Sequence, residues 1–545
     1  MRAAIEAFDA GADVAVVSKL HPTRSHSGAA EGGINASLGN AKEDSAESHA
    51  FDTVKGSDFL ADQDAVEIFA REAPGDIYQL EHWGAMFTRA PDGKLAQRPF
   101  GAAGSPRTVF AADITGHVLI QTLYEQVVKR GIKVYEEFYA WKLVEDSGRI
   151  QGVIAWDLLN GGLKAIAGTS VVLATGGIGR IYRITTNAYA CTGDGTSMAL
   201  RLGLPLKDME FMQFHPTTLY PTGILMTEGC RGEGAYLINK DGERFMERYA
   251  PNALELASRD VVSRSEQAEI DQGRGINGSV MLDMRHLGAS KIIDRLPGSR
   301  ELAITYAGVD PIYEPVPVRP GAHYHMGGVA TDKDGLTELP GLYAAGETAC
   351  VSVHGANRLG GNSLMETITF GRRAGRAAAE ASLIARSPAE IPDSALSDAQ
   401  AELDTLLGRT DGERPWKIRD ELGASMLDNF GVFRREGQMQ EQVGIIDGLL
   451  ERYEKVVVED KGEVFNSDLT QALELGGCLE LAACMLRGGI ERKESRGAHS
   501  RPDDFPDRDD ESFLKHSEIR WVDGKPSHTW SPVTITKWEP VERSY

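Results

Sequence analysis

The sequence predicts an α/β protein: a Rossmann-like nucleotide-binding domain carrying an inserted α+β capping domain, followed by a helical domain and a C-terminal segment. Three observations predict it. The chain opens as helix, glycine, apolar strand, which is the second half of a βαβ unit. Two further apolar runs, Val171–Ala174 and Leu342–Ala345, lead straight into glycine turns, as parallel strands do where their ends face a ligand. From about Ala374 alanine, glutamate, leucine and arginine dominate at helical spacing. The expected divisions are 1–210 and 323–379 for the two parts of the nucleotide-binding domain, 211–322 for the insertion, 380–493 for the helical domain and 494–545 for the C-terminal segment.

Taken in order, residues 2–10 read as a helix stopped by Gly11, and Val14-Ala15-Val16-Val17 as a buried strand. Val171–Leu173 and Leu342–Ala344 are alike in kind though far apart, which predicts one sheet interrupted by the insertion. Leu422, Met426, Phe430 and Phe433 recur at the spacing of one helix face. The stretch 494–513 is charged and rich in turn formers. It is either a surface tail or an ordered contact segment.

A chain of 545 residues is too long for one core. Its net charge of −22 argues against nucleic-acid binding and against docking on anionic lipid through its own surface. The five cysteines form no C-x-x-C pair, so neither a structural zinc nor an iron–sulfur cluster is expected on this chain. No signal peptide and no apolar run of membrane-spanning length is read, so no direct membrane insertion is expected.

Several loops can carry chemistry. "ATGGIGRIY" (174–182) and "HGANRLGGNSL" (354–364) allow close backbone approach to a flat or anionic ligand and, at strand ends, favour a dinucleotide. In "TEGCRGEG" (227–234), Glu228 and Arg231 are either a surface ion pair or a proton relay in a closed cleft; spacing alone favours the ion pair. Arg259-Asp260 reads as a helix start. His323 and His325 would share one strand face, but no third ligand follows at metal spacing. His215, Arg259, His323 and Arg358 recur in the proposed cleft loops, and such a cleft suits a small anion with more than one carboxylate.

Together these motifs resemble the flavoprotein subunits of succinate dehydrogenase and quinol:fumarate reductase, the respiratory complex II family. "SKLHPTRSHSGAAEGGINASLGN" is similar to the family's flavin-attachment segment. "CTGDG", "QFHPT", "TEGCRGEG", "ERFMERYAPN", "HGANRLGGNSL" and "ESRGAHSR…FPDRDD" follow in family order, over nearly the whole chain. The resemblance implies an FAD-binding fold and the interconversion of succinate and fumarate. It makes His26 the covalent flavin anchor, with further FAD contacts at Ser18, Lys19, Ser25, Ser27, Gly32, Gly33, Asp194, Glu347, Arg358, Ser363 and Leu364. Substrate carboxylates fall to His215, Thr227, His323 and Arg358. The proton passes through Arg259, relayed by Glu228 and Arg231, while the hydride goes to flavin N5. Chemistry alone would pick His215 as the base, since arginine normally keeps its proton. Electrons then leave to an iron–sulfur partner subunit and quinone, with a membrane anchor subunit holding the assembly at the cytoplasmic face of the inner membrane.

One departure stands out. The strand and G-x-G-x-x-G loop that should precede the first helix are not found, and the chain begins inside that helix. We expect Met1 to be an internal methionine of a longer reading frame; a flavin-free structural subunit is the opposing expectation. L-Aspartate oxidase and soluble fumarate reductase are the alternative enzymes, and His26 discriminates against them.

Overall fold

Helix Arg2–Asp9 closes at Gly11, whose φ of 95° suits glycine, and the chain turns into strand Ala15–Ser18. The computed structural model describes residues 1–385 and 391–543. Ala15–Ser18 pairs parallel with Lys133–Glu136, and Val171–Leu173 pairs parallel with Leu342–Ala344 in register Val172↔Tyr343. Val171–Leu173 and Leu342–Ala344 thus lie in one sheet across the insertion, as expected, while Ala15–Ser18 lies in a separate parallel ladder. Among the described residues neither ladder has a third strand, and both border one cavity of about 1770 Å³. Helix Asn362–Ala385 packs on the first helix where Gly375 meets Ala3. A Cβ on Gly375 would stand 2.2 Å from the Ala3 carbonyl oxygen, so only glycine permits this crossing. That same helix runs continuously through residue 380, so the expected boundary at 379/380 falls within it.

The middle of the chain builds a four-stranded antiparallel sheet in the order Met212–Leu219, Val316–His325, Val280–Asp283, Tyr236–Ile238. It has its own core, including Leu219, Phe245, Leu282 and Val318. Helix Arg259–Asp271 lies against the first of these strands, where Ser263 Oγ donates to the Phe214 carbonyl at 2.9 Å.

Helices Asp393–Gly408, Pro415–Asn429, Glu436–Tyr453 and Ser467–Glu491 share the largest core. The expected four-residue face breaks at its third member. Pro415–Asn429 ends before Phe430, which has φ −136° and ψ 40° and is followed by Gly431. Leu422, Met426 and Phe430 are still buried, while Phe433 lies beyond the helix. Ser467–Glu491 also corrects the expectation that no apolar run is long enough to cross a membrane: by length and composition it is. Its most apolar stretch is 78% buried inside the protein, and a helix hydrophobic on all sides is what a core centre requires.

The stretch after it is an ordered contact segment. Glu494 accepts from Arg496 Nε at 2.7 Å and from Arg492 Nη1 at 3.0 Å, with all three side chains out of solvent. Arg492 Nε reaches Glu210 at 2.7 Å, and Arg496 Nη1 donates to the Asp58 carbonyl at 2.9 Å. These bonds tie the C-terminal segment to the nucleotide-binding part. Removing one member of such a buried network leaves charge uncompensated. Glu494→Ala should therefore cost about 3 kcal/mol or more, read as a lowered urea midpoint.

Candidate active site

One wall of the cavity is the loop after the first strand. Residues Pro22–Arg24 and His26–Ala29 form two 3₁₀ turns, with Ser25 Oγ accepting from Ser27 N at 3.4 Å. The loop is pinned from behind by helix Thr115–Lys129: a Cβ on Gly116 would stand 1.9 Å from the Ser27 carbonyl oxygen. His26 Nδ1 accepts from Ala188 N at 3.3 Å, and its Nε2 lies 3.5 Å from Asn187 Nδ2. Burial lowers its pKa to about 4, so the imidazole is neutral at pH 7. Gly33 is required sterically, and Gly32 is tightly packed. A Cβ on Gly32 would come within 2.6 Å of the Phe100 ring, and one on Gly33, at φ 132°, within 2.5 Å of the Val109 carbonyl. Arg98 Nε donates to the Gly32 carbonyl at 2.9 Å, holding that backbone.

Further along, Lys19 Nζ sits 2.6 Å from Asp194 and 2.7 Å from Glu474, and donates to Thr192 Oγ1 at 3.1 Å. Its donors are therefore committed to protein groups, and its effect is to orient Asp194 at the start of helix Asp194–Arg201. Glu347 Oε1 accepts from His325 N at 3.0 Å, and burial pushes its carboxyl up to about 7. Gly177 faces it closely, since a Cβ there would fall 2.2 Å from Glu347 Oε1.

The opposite wall holds the cationic cluster. Thr227 caps the short helix Glu228–Gly232, its Oγ1 accepting from Gly229 N at 3.2 Å. Glu228 Oε2 accepts from Arg259 Nε at 2.7 Å, and Glu228 Oε1 from Gly101 N at 2.7 Å. Arg231 Nη2 stands 3.8 Å from Glu228 Oε2. Gln213 Oε1 joins the two other arginines, accepting from Arg259 Nη1 at 3.1 Å and Arg358 Nη2 at 3.2 Å. Arg358 also reaches Ser363 Oγ at 3.3 Å and lies 4.5 Å from the centre of the Tyr324 ring.

These side chains, apart from the half-buried Ser363, are buried, and the electrostatics follow from that. Burial, then the charge of Arg259, lowers Arg358 to about 9. Burial also lowers Arg259; Arg231 adds to this and Glu228 opposes it. The Glu228 carboxyl falls below its ordinary value: burial would raise it, but Arg259 and Arg231 outweigh that. His215 and His323 are pushed well below the ordinary histidine value, first by burial and then by nearby cations. Their rings lie 4.8 Å apart.

Ser18, Lys19, Ser25, His26, Ser27, Gly32, Gly33, Asp194, His215, Thr227, Glu228, Arg259, His323, Glu347, Arg358, Ser363 and Leu364 all border this one cavity; Arg231 stands behind Glu228. His323 and His325 separate. The ladder between Met212–Leu219 and Val316–His325 shifts register at Gln213/Phe214, leaving His323 as the extra residue. His323 Nδ1 then meets Thr186 Oγ1 at 2.8 Å, whereas His325 Nε2 meets the Met209 carbonyl at 3.0 Å. Sequence reasoning missed Gln213, Asn187, Gly101 and Glu31. Gln213 and Glu31 lie inside motifs the sequence marks, but their roles depend, like those of Asn187 and Gly101, on partners distant in the chain.

The cavity retains polar atoms with no protein partner: Glu31 Oε2 and Arg358 Nε are buried and unbonded within the protein. Beside Gly176 only open space lies where a Cβ would stand. Such lining fits a flat, polyanionic cofactor. Residues 1–364 match the FAD binding domain family, and residues 419–545 match the fumarate reductase flavoprotein C-terminal family. The chain is 47% identical to the fumarate reductase flavoprotein subunit of Mycobacterium tuberculosis, covering 98% of this chain and 94% of that one. It belongs to the succinate dehydrogenase and fumarate reductase flavoprotein family. The succinate dehydrogenase flavoprotein subunit of Rickettsia conorii is 45% identical over 98% of this chain and 94% of its own. A solved quinol–fumarate reductase with menaquinol molecules superposes with a TM-score of 0.95 at 43% identity, covering 99% of this chain and 97% of that one. This member of the family is accordingly an FAD-dependent oxidoreductase subunit acting between succinate and fumarate, and the alternative enzymes are not favoured.

Glu31 offers a test of the cavity's dryness. Burial, then the charge of Asp113, pushes its carboxyl from an ordinary 4.5 up to about 8. The folded state keeps a proton that the unfolded chain loses above 4.5, so this group's contribution to stability falls as pH rises from 4.5 to 8. Glu31→Gln removes that loss. Relative to the parent protein its urea midpoint should rise between pH 5 and pH 8, by an amount equivalent to about 3–4 kcal/mol.

Proposed function

We propose that the cationic wall binds both carboxylates of succinate or fumarate and that Arg259 carries the proton, relayed by Glu228 and Arg231. One observation carries this reading: Arg259 Nε is held 2.7 Å from Glu228 Oε2, fully inside the protein, with Arg231 behind that carboxylate. An arginine in water is a useless base. Here burial disfavours the guanidinium and the charge of Arg231 disfavours it further, while Glu228 offers the proton a place to go. His215 is the poorer candidate, because its imidazolium would be buried among Arg259, Arg231 and Arg358. His215 and His323, neutral, donate hydrogen bonds to substrate carboxylates alongside Thr227 and Arg358. Gln213 keeps Arg259 and Arg358 at a fixed separation. Gly360 passes over the relay: a Cβ there would fall 3.0 Å from Glu228 Oε2 and 3.3 Å from Arg259 Nη2, which seals the pair from water.

Bound FAD supplies the two-electron acceptor or donor. Ser18, Ser25, Ser27, Gly32, Gly33, Asp194, Glu347, Arg358, Ser363 and Leu364 would hold it, with Lys19 acting through Asp194. His26 would tether it covalently, since a neutral imidazole is the nucleophilic form. This tether resists denaturation. Protein unfolded in acid should keep flavin absorbance on the polypeptide, and His26→Ala should release it. The five cysteines are all buried and unpaired, so we assign onward electron transfer to an iron–sulfur partner subunit and then quinone. A membrane anchor subunit would hold that assembly at the cytoplasmic face of the inner membrane. A solved relative, Mycobacterium smegmatis Sdh1, is in complex with UQ1, which supports the quinone end of this scheme.

The same groups serve both directions, because a catalyst lowers one shared barrier. Arg259→Lys should leave flavin bound but lower kcat by about 10² or more in succinate:dye and in quinol:fumarate assays. If His215→Ala removes the proton step while Arg259→Lys preserves it, the assignment is overturned.

A further inference from the structure

Arg358 is a buried cation that no carboxylate neutralises. Among the described residues it is paired with no acid. Its bonded donors go to neutral oxygens, Nη1 to Ser363 Oγ at 3.3 Å and Nη2 to Gln213 Oε1 at 3.2 Å, and Nε is left unbonded. A guanidinium taken out of water in this way needs attraction from elsewhere. Its flat face finds it. The guanidinium carbon lies 4.5 Å from the centre of the Tyr324 ring, and an aromatic face attracts a cation without accepting any of its N–H groups. The strand pairing explains the arrangement. Gln213 and Tyr324 are cross-strand partners, so one meets the guanidinium at its edge and the other at its face. Tyr324 is itself fixed. Its hydroxyl donates to Glu366 Oε2, which also accepts from His354 Nε2 at 2.8 Å, and the Tyr324 and His354 rings meet edge to face at 5.3 Å. Glu366 stands one turn beyond Ser363 on helix Asn362–Ala385, so one helix holds both the guanidinium and the tyrosine beneath it. Tyr324, His354 and Glu366 are all buried. A residue that merely filled this space would need neither the hydroxyl nor the buried acid behind it.

We propose that Tyr324 is a positioning residue for substrate binding: its ring, polarised from behind by Glu366, holds the Arg358 guanidinium in place and charged while leaving N–H groups free for a substrate carboxylate. This rests on Arg358 binding that carboxylate. An acid in place of the ring would also hold the cation. It would, however, occupy those N–H groups and cancel the charge that draws in a dianion. The ring does neither. Its attraction favours the guanidinium over the neutral form, against burial and the charge of Arg259, which bring Arg358 down to about 9. Glu347 and Glu228 also favour the charged form, and His215 and His323, the other titratable groups facing Arg358, are neutral. A weakened ring face therefore shows first at alkaline pH, where Arg358 begins to lose its proton.

The test uses the FAD-loaded protein and malonate, a dicarboxylate with no second methylene to desaturate, titrated against the flavin absorbance. Tyr324→Phe keeps the ring. Phenylalanines carrying one, two or three ring fluorines at this position keep the shape and withdraw charge from the face step by step. Malonate affinity at pH 9 should fall with each fluorine, by about fivefold for three relative to Tyr324→Phe, while at pH 6 the series stays within about twofold. KM for fumarate should rise in parallel, with kcat changed far less. Glu366→Gln, which removes the charge behind the ring, should move the alkaline limb the same way by a smaller amount. Equal affinity across the fluorinated series at both pH values would overturn the proposal, because a space-filling role is indifferent to fluorine. If the phenylalanine forms fail to fold, Glu366→Gln decides, and an unmoved alkaline limb there overturns it. Arg358→Gln separates this role from the reading beneath it. If Arg358→Gln loses malonate binding while the fluorinated series is flat, only the role of Tyr324 falls. If Arg358→Gln binds malonate as the parent does, the carboxylate reading of Arg358 falls with it.

Discussion

Everything about this site depends on burying several arginines around one carboxylate. Arg259, Arg231 and Arg358 are each under one-tenth exposed, and Glu228 is the acid that lies among them. Taking such charges out of water costs several kcal/mol per ion and is offset only by good geometry. The Glu228–Arg259 contact, the Gly101 amide and the Gln213 bridge supply that geometry. Burial first, and then the positive charge left over, keeps His215 and His323 neutral and lowers the guanidinium of Arg358. It also provides what a doubly anionic substrate needs, because the substrate's charge completes the balance.

The scaffold exists to hold that cluster against the flavin loop. Glycines make the approach possible. Gly116 lets a helix start press on Ser27, Gly375 lets two helices cross, and Gly360 lets a turn cover the relay. In each case a single methyl group would collide with backbone or with the relay itself. Close packing leaves no slack for a compensating shift. The C-terminal segment closes the assembly through Arg492, Glu494 and Arg496, a second buried charge network with a structural purpose.

Motif order alone pointed to the family, and each predicted site residue lies on the cavity or just behind it. The reason is local: a loop such as "TRSHSGAAEGG" or "HGANRLGGNSL" carries its own turn geometry in its glycines. Two expectations failed where local pattern competed with context. The helical period through Phe433 broke at Phe430, where the chain turns into Gly431. The apolar run at Ser467–Glu491 was overlooked because its glycines, glutamates and cysteines interrupt it in sequence, though they do not interrupt its burial.

By itself, then, the sequence determined the fold class, the family and the set of chemistry-bearing loops, since these are written in glycine spacing and apolar periodicity within short windows. Only the tertiary structure decided which charges meet. Spacing alone makes Glu228 and Arg231 an ordinary surface pair, whereas both are buried, and nothing in the motifs around Gln213 and Glu31 says which groups they meet. A pKa and a hydrogen-bond partner are properties of what is packed around a group, and for these residues that surrounding comes from distant parts of the chain.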